Sequence, residues 1–104
     1  MSSAVETTQS WFEKHQQYLN RKFLVSEIKV SDAGSANIVL ENDLTIIDIC
    51  TWNLGYCLDV QVLDVATNES TFPFAGSCES LEDLKNKLDQ FGKWIASEEV
   101  LGNA

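Results

Sequence analysis

The segment from Leu44 to Val65 constrains the fold most. A long β-branched run, Leu44 to Trp52, is followed by Asn53-Leu54-Gly55. Tyr56 to Val65 comes next, and in it Leu58, Val60 and Val62 alternate with Cys57, Asp59 and Gln61. Apolar side chains at a period of two share one side of a strand, and a short Asn- and Gly-containing break between two such runs signals a turn. An antiparallel hairpin is therefore expected here. Its first strand is apolar on both parities, with Thr45, Ile47, Ile49 and Thr51 on one and Asp48, Cys50 and Trp52 on the other. A sheet that carries helices on one face leaves the second parity to solvent or to a partner.

The flanks extend this sheet. Phe23 to Ser31 alternates Ser26, Ile28 and Val30 with Glu27 and Lys29, then runs into Asp32-Ala33-Gly34-Ser35, a turn composition. Ala36 to Glu41 alternates again and meets Asn42-Asp43, whose short side chains suit the positive backbone dihedrals of a tight hairpin. After Thr67-Asn68-Glu69, the stretch Ser70 to Phe74 is a candidate fifth strand; Pro73 lacks a backbone donor and suits a sheet edge.

Helical spacing brackets the strands. Trp11, Phe12, His15, Tyr18 and Leu19 recur on one stripe of a first helix read from Val5 to Tyr18. Leu81, Leu84, Leu88, Phe91 and Ile95 step by three and four along a second, from about Leu81 to Ser97, behind a start marked by Ser80 and Asp83. The order predicts an α+β fold: an antiparallel meander of four to five strands, with an N-terminal and a C-terminal helix packed on one face. With 104 residues, no repeat and no linker, 1–104 is expected to form one domain with an ordered core over about 5–97.

Sixteen acidic residues against seven basic ones give a formal charge of -9. That field repels phosphate backbones and anionic lipid and attracts basic surfaces, so direct nucleic-acid binding is not expected. No apolar run approaches the roughly 20 residues that span a bilayer, and Met1 to Ser10 lacks the basic and apolar regions of a signal peptide. No membrane partner and a cytoplasmic location are the expectation. Cys50, Cys57 and Cys78 are odd in number and show no metal-ligand spacing; reduced, buried thiols are expected, with a disulfide or a metal site as the alternatives.

Catalytic chemistry has little to work with. The one histidine, His15, falls on the inner stripe of the first helix, and the phosphate-loop, dinucleotide and zinc-hydrolase motifs are absent. No cofactor is expected. Asp43, Asp48, Asp59 and Asp64 come near one another if the strands pair as described. Carboxylates alone admit acid–base catalysis, calcium binding, or a solvated or partner-facing acidic surface. The last is favoured, because sixteen acids in so short a chain bring some pairs together by number alone. Trp52 and Tyr56 flank the central turn, and aromatic anchors inside a charged rim are the composition of protein interfaces. The residues thus point to a protein that binds another protein, not to an enzyme. A small acidic adaptor or regulatory subunit for a cytosolic housekeeping protein is one form of that reading, and a carboxylate hydrolase is the enzymatic alternative.

The stretch Trp52-Asn53-Leu54-Gly55-Tyr56-Cys57-Leu58-Asp59-Val60-Gln61-Val62-Leu63-Asp64, followed by Phe72 and the Leu81 to Phe91 helix, resembles the TriTu immunity proteins of bacterial contact-dependent growth inhibition systems. The Trp11-Phe12 helix fits as well, and Leu54 and Gln61 depart from the pattern. The resemblance implies an antitoxin that binds and neutralises the C-terminal toxin domain of a cognate delivered effector in the cytosol. It implies that the toxin is a nuclease cleaving transfer RNA, associated with elongation factor Tu. A nuclease needs a basic cleft for RNA, which an acidic protein can occupy. The expected contacts are Asp43, Asp48, Asp59 and Asp64 to lysines and arginines, with Trp52 and Tyr56 supplying apolar area.

Overall fold

The computed structural model describes residues 3–97. Helix α1 (Ala4–Lys22) starts at Ser3, whose hydroxyl accepts the Glu6 amide at 3.2 Å, and it carries Glu6 in its first turn and Arg21 and Lys22 in its last. Those charges complement the helix dipole at both ends. Its buried stripe holds Ala4, Val5, Thr8, Trp11, Phe12 and Leu19. The helix runs four residues beyond the expected Tyr18 and ends where the Phe23 amide closes on the Leu19 carbonyl at 2.9 Å. His15 lies at the edge of the stripe, half-buried, with Nδ1 2.8 Å from the Trp11 carbonyl.

Five strands follow: β1 (Val25–Ser31), β2 (Ser35–Glu41), β3 (Thr45–Trp52), β4 (Cys57–Asp64) and β5 (Glu69–Phe74). They pair antiparallel in the order β1-β2-β3-β4-β5, so the sheet is an uninterrupted meander and the fold is α+β, as expected. The expected fifth strand is present, with Pro73 on the sheet edge. Helix α2 (Leu81–Ser97) is the last element among the described residues. Ser80 Oγ accepts the Asp83 amide at 3.1 Å, and the Asp83 carboxylate accepts the Glu79 amide at 3.0 Å, a reciprocal cap displaced one residue toward the N-terminus. That hydrogen bond from Glu79 is the main reason the Asp83 carboxyl sits below the usual carboxylate range.

Both helices cover the same face. Ile38, Leu40, Ile47, Ile49, Leu58 and Val60 from the sheet and Leu84, Leu88, Phe91 and Ile95 from α2 are fully buried in one cluster with Trp11, Phe12 and Leu19 of α1. The alternation read at β3 and β4 is met residue for residue: Thr45, Ile47, Ile49 and Thr51 point inward, and so do Leu58, Val60 and Val62.

Two asparagines in turns dock α1 on this sheet. Asn53, after β3, accepts the Val5 amide on Oδ1 at 3.0 Å, satisfying a donor that a helix N-terminus leaves open. Asn42, before β3, donates from Nδ2 to the Lys22 carbonyl at 3.1 Å, at the other end of the helix. Asn42 Oδ1 also accepts the Leu44 and Thr45 amides at 2.9 and 2.8 Å. The β2–β3 turn is therefore held by a side-chain acceptor. The positive dihedrals expected at Asn42-Asp43 are not used, since the non-glycine residues with positive φ among those described are Tyr56 and Asn68. Between the two ends, Thr8 Oγ1 donates to the Ala4 carbonyl and leaves Thr51 Oγ1, 2.8 Å away, to donate to it inside the core.

Replacing Asn53 with alanine strips α1 of that acceptor, and Asn42→Ala undoes both the turn and the C-terminal contact. Each is expected to cost about 1 kcal/mol, within a range of roughly 0.5–2, in urea unfolding of the purified chain. Being at opposite ends of α1, their losses should add to within about 0.5 kcal/mol. Leu88→Ala, which empties a fully buried site, should cost about 2–5 kcal/mol in the same measurement.

Candidate functional site

With both helices on one face, the second parity of the sheet carries no layer among the described residues. Asn37, Val39, Ile46, Asp48, Cys50, Trp52, Asp59, Gln61 and Leu63 lie on it by strand register. Trp52 stays 39% exposed at one end.

One irregularity adds an aromatic to this face. Val60 pairs with Phe74 and Val62 with Thr71, so one residue of β4 opposes two of β5, a bulge at Phe72-Pro73. Without the extra residue Phe72 and Phe74 would share a side. With it, Phe74 turns inward to meet the Phe91 ring edge-on at 6.1 Å, while Phe72 turns outward and is 62% exposed. Phe72, Asp48, Cys50, Asp59 and Gln61 line an open groove of about 370 Å³ across β3, β4 and β5.

The polar side chains of this groove are held in place. Asn37 Nδ2 reaches Asp48 Oδ1, the Ile49 carbonyl at 3.2 Å and Cys50 Sγ at 3.1 Å, and Cys50 Sγ donates to Asp48 Oδ1 at 3.4 Å. Asp59 Oδ1 accepts the Gly76 amide at 3.1 Å, and Gln61 Nε2 donates to Ser70 Oγ at 3.2 Å. Burial, followed by the hydrogen bond to Asp48 and the charge of Asp48, pushes the Cys50 thiol up to about 11. The thiol thus stays neutral at physiological pH and serves as a donor, not a nucleophile.

Of the residues singled out in the sequence, Asp48, Asp59 and Trp52 share this face. Asp48 pairs with Gln61 and Cys50 with Asp59, so the two aspartates are diagonal neighbours, with backbones roughly 7–8 Å apart by strand geometry. Asp43 and Asp64 lie elsewhere. They sit in the β2–β3 turn and at the end of β4, at the sheet end where the Val65 amide bonds the Leu44 carbonyl at 3.0 Å. Asp64 Oδ1 is engaged there, accepting the Ala66 and Thr67 amides at 2.9 and 3.2 Å. The four carboxylates therefore form two pairs, not one cluster. Tyr56 is not on the face either: it leaves the strand at φ 46°, packs half-buried against the core, and its carbonyl accepts the Cys78 amide at 3.2 Å. Phe72 entered the sequence reading only as part of the family pattern and not as a site residue, and Asn37 did not enter it. Pro73 in a β-like run was the available signal for the bulge, and nothing in the pattern marks Asn37.

The charge is polarised between the layers. The strands and their turns, residues 25–74, hold Glu27, Asp32, Glu41, Asp43, Asp48, Asp59, Asp64 and Glu69 against Lys29 alone, a net of -7 out of the chain's -9. Helix α1 has two acidic and three basic residues, and α2 has three of each. Among the described residues no group of His, Cys, Asp or Glu is placed to hold a metal ion, and no helix is long and apolar enough to cross a membrane.

Residues 6–94 match the family model described as Immunity protein TriTu. The chain belongs to the TriTu immunity protein family. No curated protein and no solved structure matches it. As a TriTu immunity protein it has a cognate toxin as partner.

The thiol chemistry of this TriTu protein can be checked directly. A shift from 9.0 to about 11 lowers the thiolate fraction at pH 8 roughly a hundredfold, so Cys50 should alkylate with iodoacetamide far more slowly than an unperturbed thiol. Asp48→Asn removes the charge that raises it and should speed the reaction, followed by peptide mass spectrometry. An equal rate in the variant would separate Cys50 from Asp48.

Proposed function

We propose that this immunity protein neutralises the C-terminal toxin domain of a contact-dependent growth inhibition effector, a nuclease that cleaves transfer RNA, by binding it in the cytoplasm with the acidic outer face of the sheet. It acts by occupancy and not by turnover. The observation that carries this reading is the net charge of -7 on the strands and turns, set beside a sheet face that no helix covers. A nuclease presents lysines and arginines to its RNA, and an acidic face meets the same groups. A single face is large enough: a standard interface takes about 800 Å² from each partner, against a total surface of 6327 Å² for this chain.

Asp48, Asp59 and Trp52 contribute from the face itself. Asp43 and Asp64 contribute from the sheet end as a rim that steers encounter, and Tyr56 supports the turn that carries Trp52. Elongation factor Tu joins through the toxin and does not touch this face directly, which gives a three-component assembly. The adaptor alternative has no observation of its own once the family is an immunity family.

Co-expression tests the role. Cells producing the adjacent effector's toxin domain should lose intact transfer RNA and stop growing, and this chain should restore both. In calorimetric titration of the purified pair the affinity should fall as salt rises, with the association rate dropping about tenfold or more between low and physiological salt. Intact transfer RNA in cells making the toxin domain alone would remove the nuclease assignment. Salt-independent binding would remove the electrostatic one.

A further inference from the structure

Which feature of the partner the groove accepts follows from its walls. Asp48 and Asp59 each have one carboxylate oxygen engaged by Asn37, Cys50 or the Gly76 amide, which fixes the side chains and leaves Oδ2 of each without a hydrogen bond among the described residues. Among the described residues no ion pair is made by either carboxylate. Lys29, the one basic residue of the sheet, stands on β1, two strands from β3, and the ion pair Lys87–Asp83 belongs to α2. The rest of the wall is Cys50, Gln61, Val60 and Ala75 with the outward Phe72 ring, the exposed large apolar side chain among them. By contrast, the groove between the helices, lined by Glu6, Lys14, Lys85 and Asp89 around Trp11, balances its charges and selects no sign.

We propose that the Asp48–Asp59–Phe72 groove is the anchor pocket for one arginine side chain of the toxin. This rests on the toxin-binding reading above. Two carboxylates on diagonal residues of neighbouring strands can take one planar cation between them, with an N–H directed at each Oδ2. A guanidinium presents its edges to carboxylates and its face to an aromatic ring at once; an ammonium is a point charge and does the first only. Being neutral, the Cys50 thiol adds no third charge to the pocket. A groove of about 370 Å³ lies near the bottom of the range for ligand pockets, roughly 300–1,000 Å³, which suits a single side chain.

The experiment is a set of calorimetric titrations between the full chain and the toxin domain of the adjacent effector. Circular dichroism melts of every variant establish that each is folded. Asp48→Asn with Asp59→Asn should weaken binding about 30-fold or more, the loss expected when one side of a desolvated charge pair is removed. Phe72→Ala should weaken it about tenfold and Phe72→Tyr should not. Glu13→Gln with Glu82→Gln, exposed acids of the two helices and outside the proposed interface, should stay within about threefold, which separates a local pocket from overall charge. Arginine-to-lysine replacements across the toxin domain should reveal one position whose loss is not additive with Asp48→Asn/Asp59→Asn. If the wild-type chain binds but the double aspartate variant is unchanged, or no arginine couples to it, the pocket is overturned and the antitoxin reading stands. If the wild-type chain fails to bind the toxin domain, both fall.

Discussion

Everything on the outer face depends on how α1 is docked on the inner one. Asn42 and Asn53 stand at the two ends of β3, and each spends its side chain on one end of the helix, Asn53 on the Val5 amide and Asn42 on the Lys22 carbonyl. The lengths agree: nineteen helical residues extend about 28 Å at 1.5 Å each, and the eight residues of β3 about 26 Å at 3.3 Å each. Because both partners are turn residues, the same side chains that reverse the chain also set the helix register. One turn in from the Asn53 end, Thr8 and Thr51 add a buried hydrogen bond that a slip of one residue would leave unmade. Committing α1 and α2 to one face is what leaves the other bare.

That bare face carries charge which folding does not ask for. Like charges on diagonal residues of neighbouring strands, whose backbones lie roughly 7–8 Å apart, repel by on the order of half a kcal/mol in water, and more once water is excluded. Within the sheet eight acids face one base, while the helices hold near-balanced sets. Solubility would be served by charges spread over both layers. Concentrating them on the sheet sets up a directional field, and a cationic partner that lands there relieves the repulsion as well as gaining its own attraction. The family role is compatible with that field, since a cognate toxin with a basic surface would be drawn to it.

The period-two alternation made most of the fold legible. Ile47, Ile49, Val60 and Val62 had to share a side, and the helical steps of Leu84, Leu88, Phe91 and Ile95 had to meet them, so topology and core followed from pattern alone. What pattern could not deliver was anything set by a single side chain acting over long sequence distance. Asn42 read as a residue for positive φ, whereas it works as an acceptor in its turn and a donor to a helix 20 residues earlier. Tyr56 read as an interface aromatic because it flanks the turn, but the left-handed backbone there swings it toward the core. Proximity of Asp43 and Asp64 to Asp48 was inferred from pairing without register; register puts them at the sheet end instead.

Pro73 shows why the face and not the edge is the surface to reckon with. An edge strand offers unpaired amides and carbonyls to any passing strand, and proteins blunt that risk with proline and bulges. Pro73 does both: it removes a donor from β5, and the bulge it shares with Phe72 bends the strand. The same bulge rotates Phe72 outward beside Asp48 and Asp59. One local irregularity therefore closes the β5 edge to strand addition and places the most exposed aromatic ring of the strands, among the described residues, next to their fixed carboxylates. A partner approaching this side of the molecule meets a blocked edge and, one strand in, a groove with two aspartates and an aromatic wall, so recognition by side chains on the face is the mode that the strand's own covalent chemistry favours.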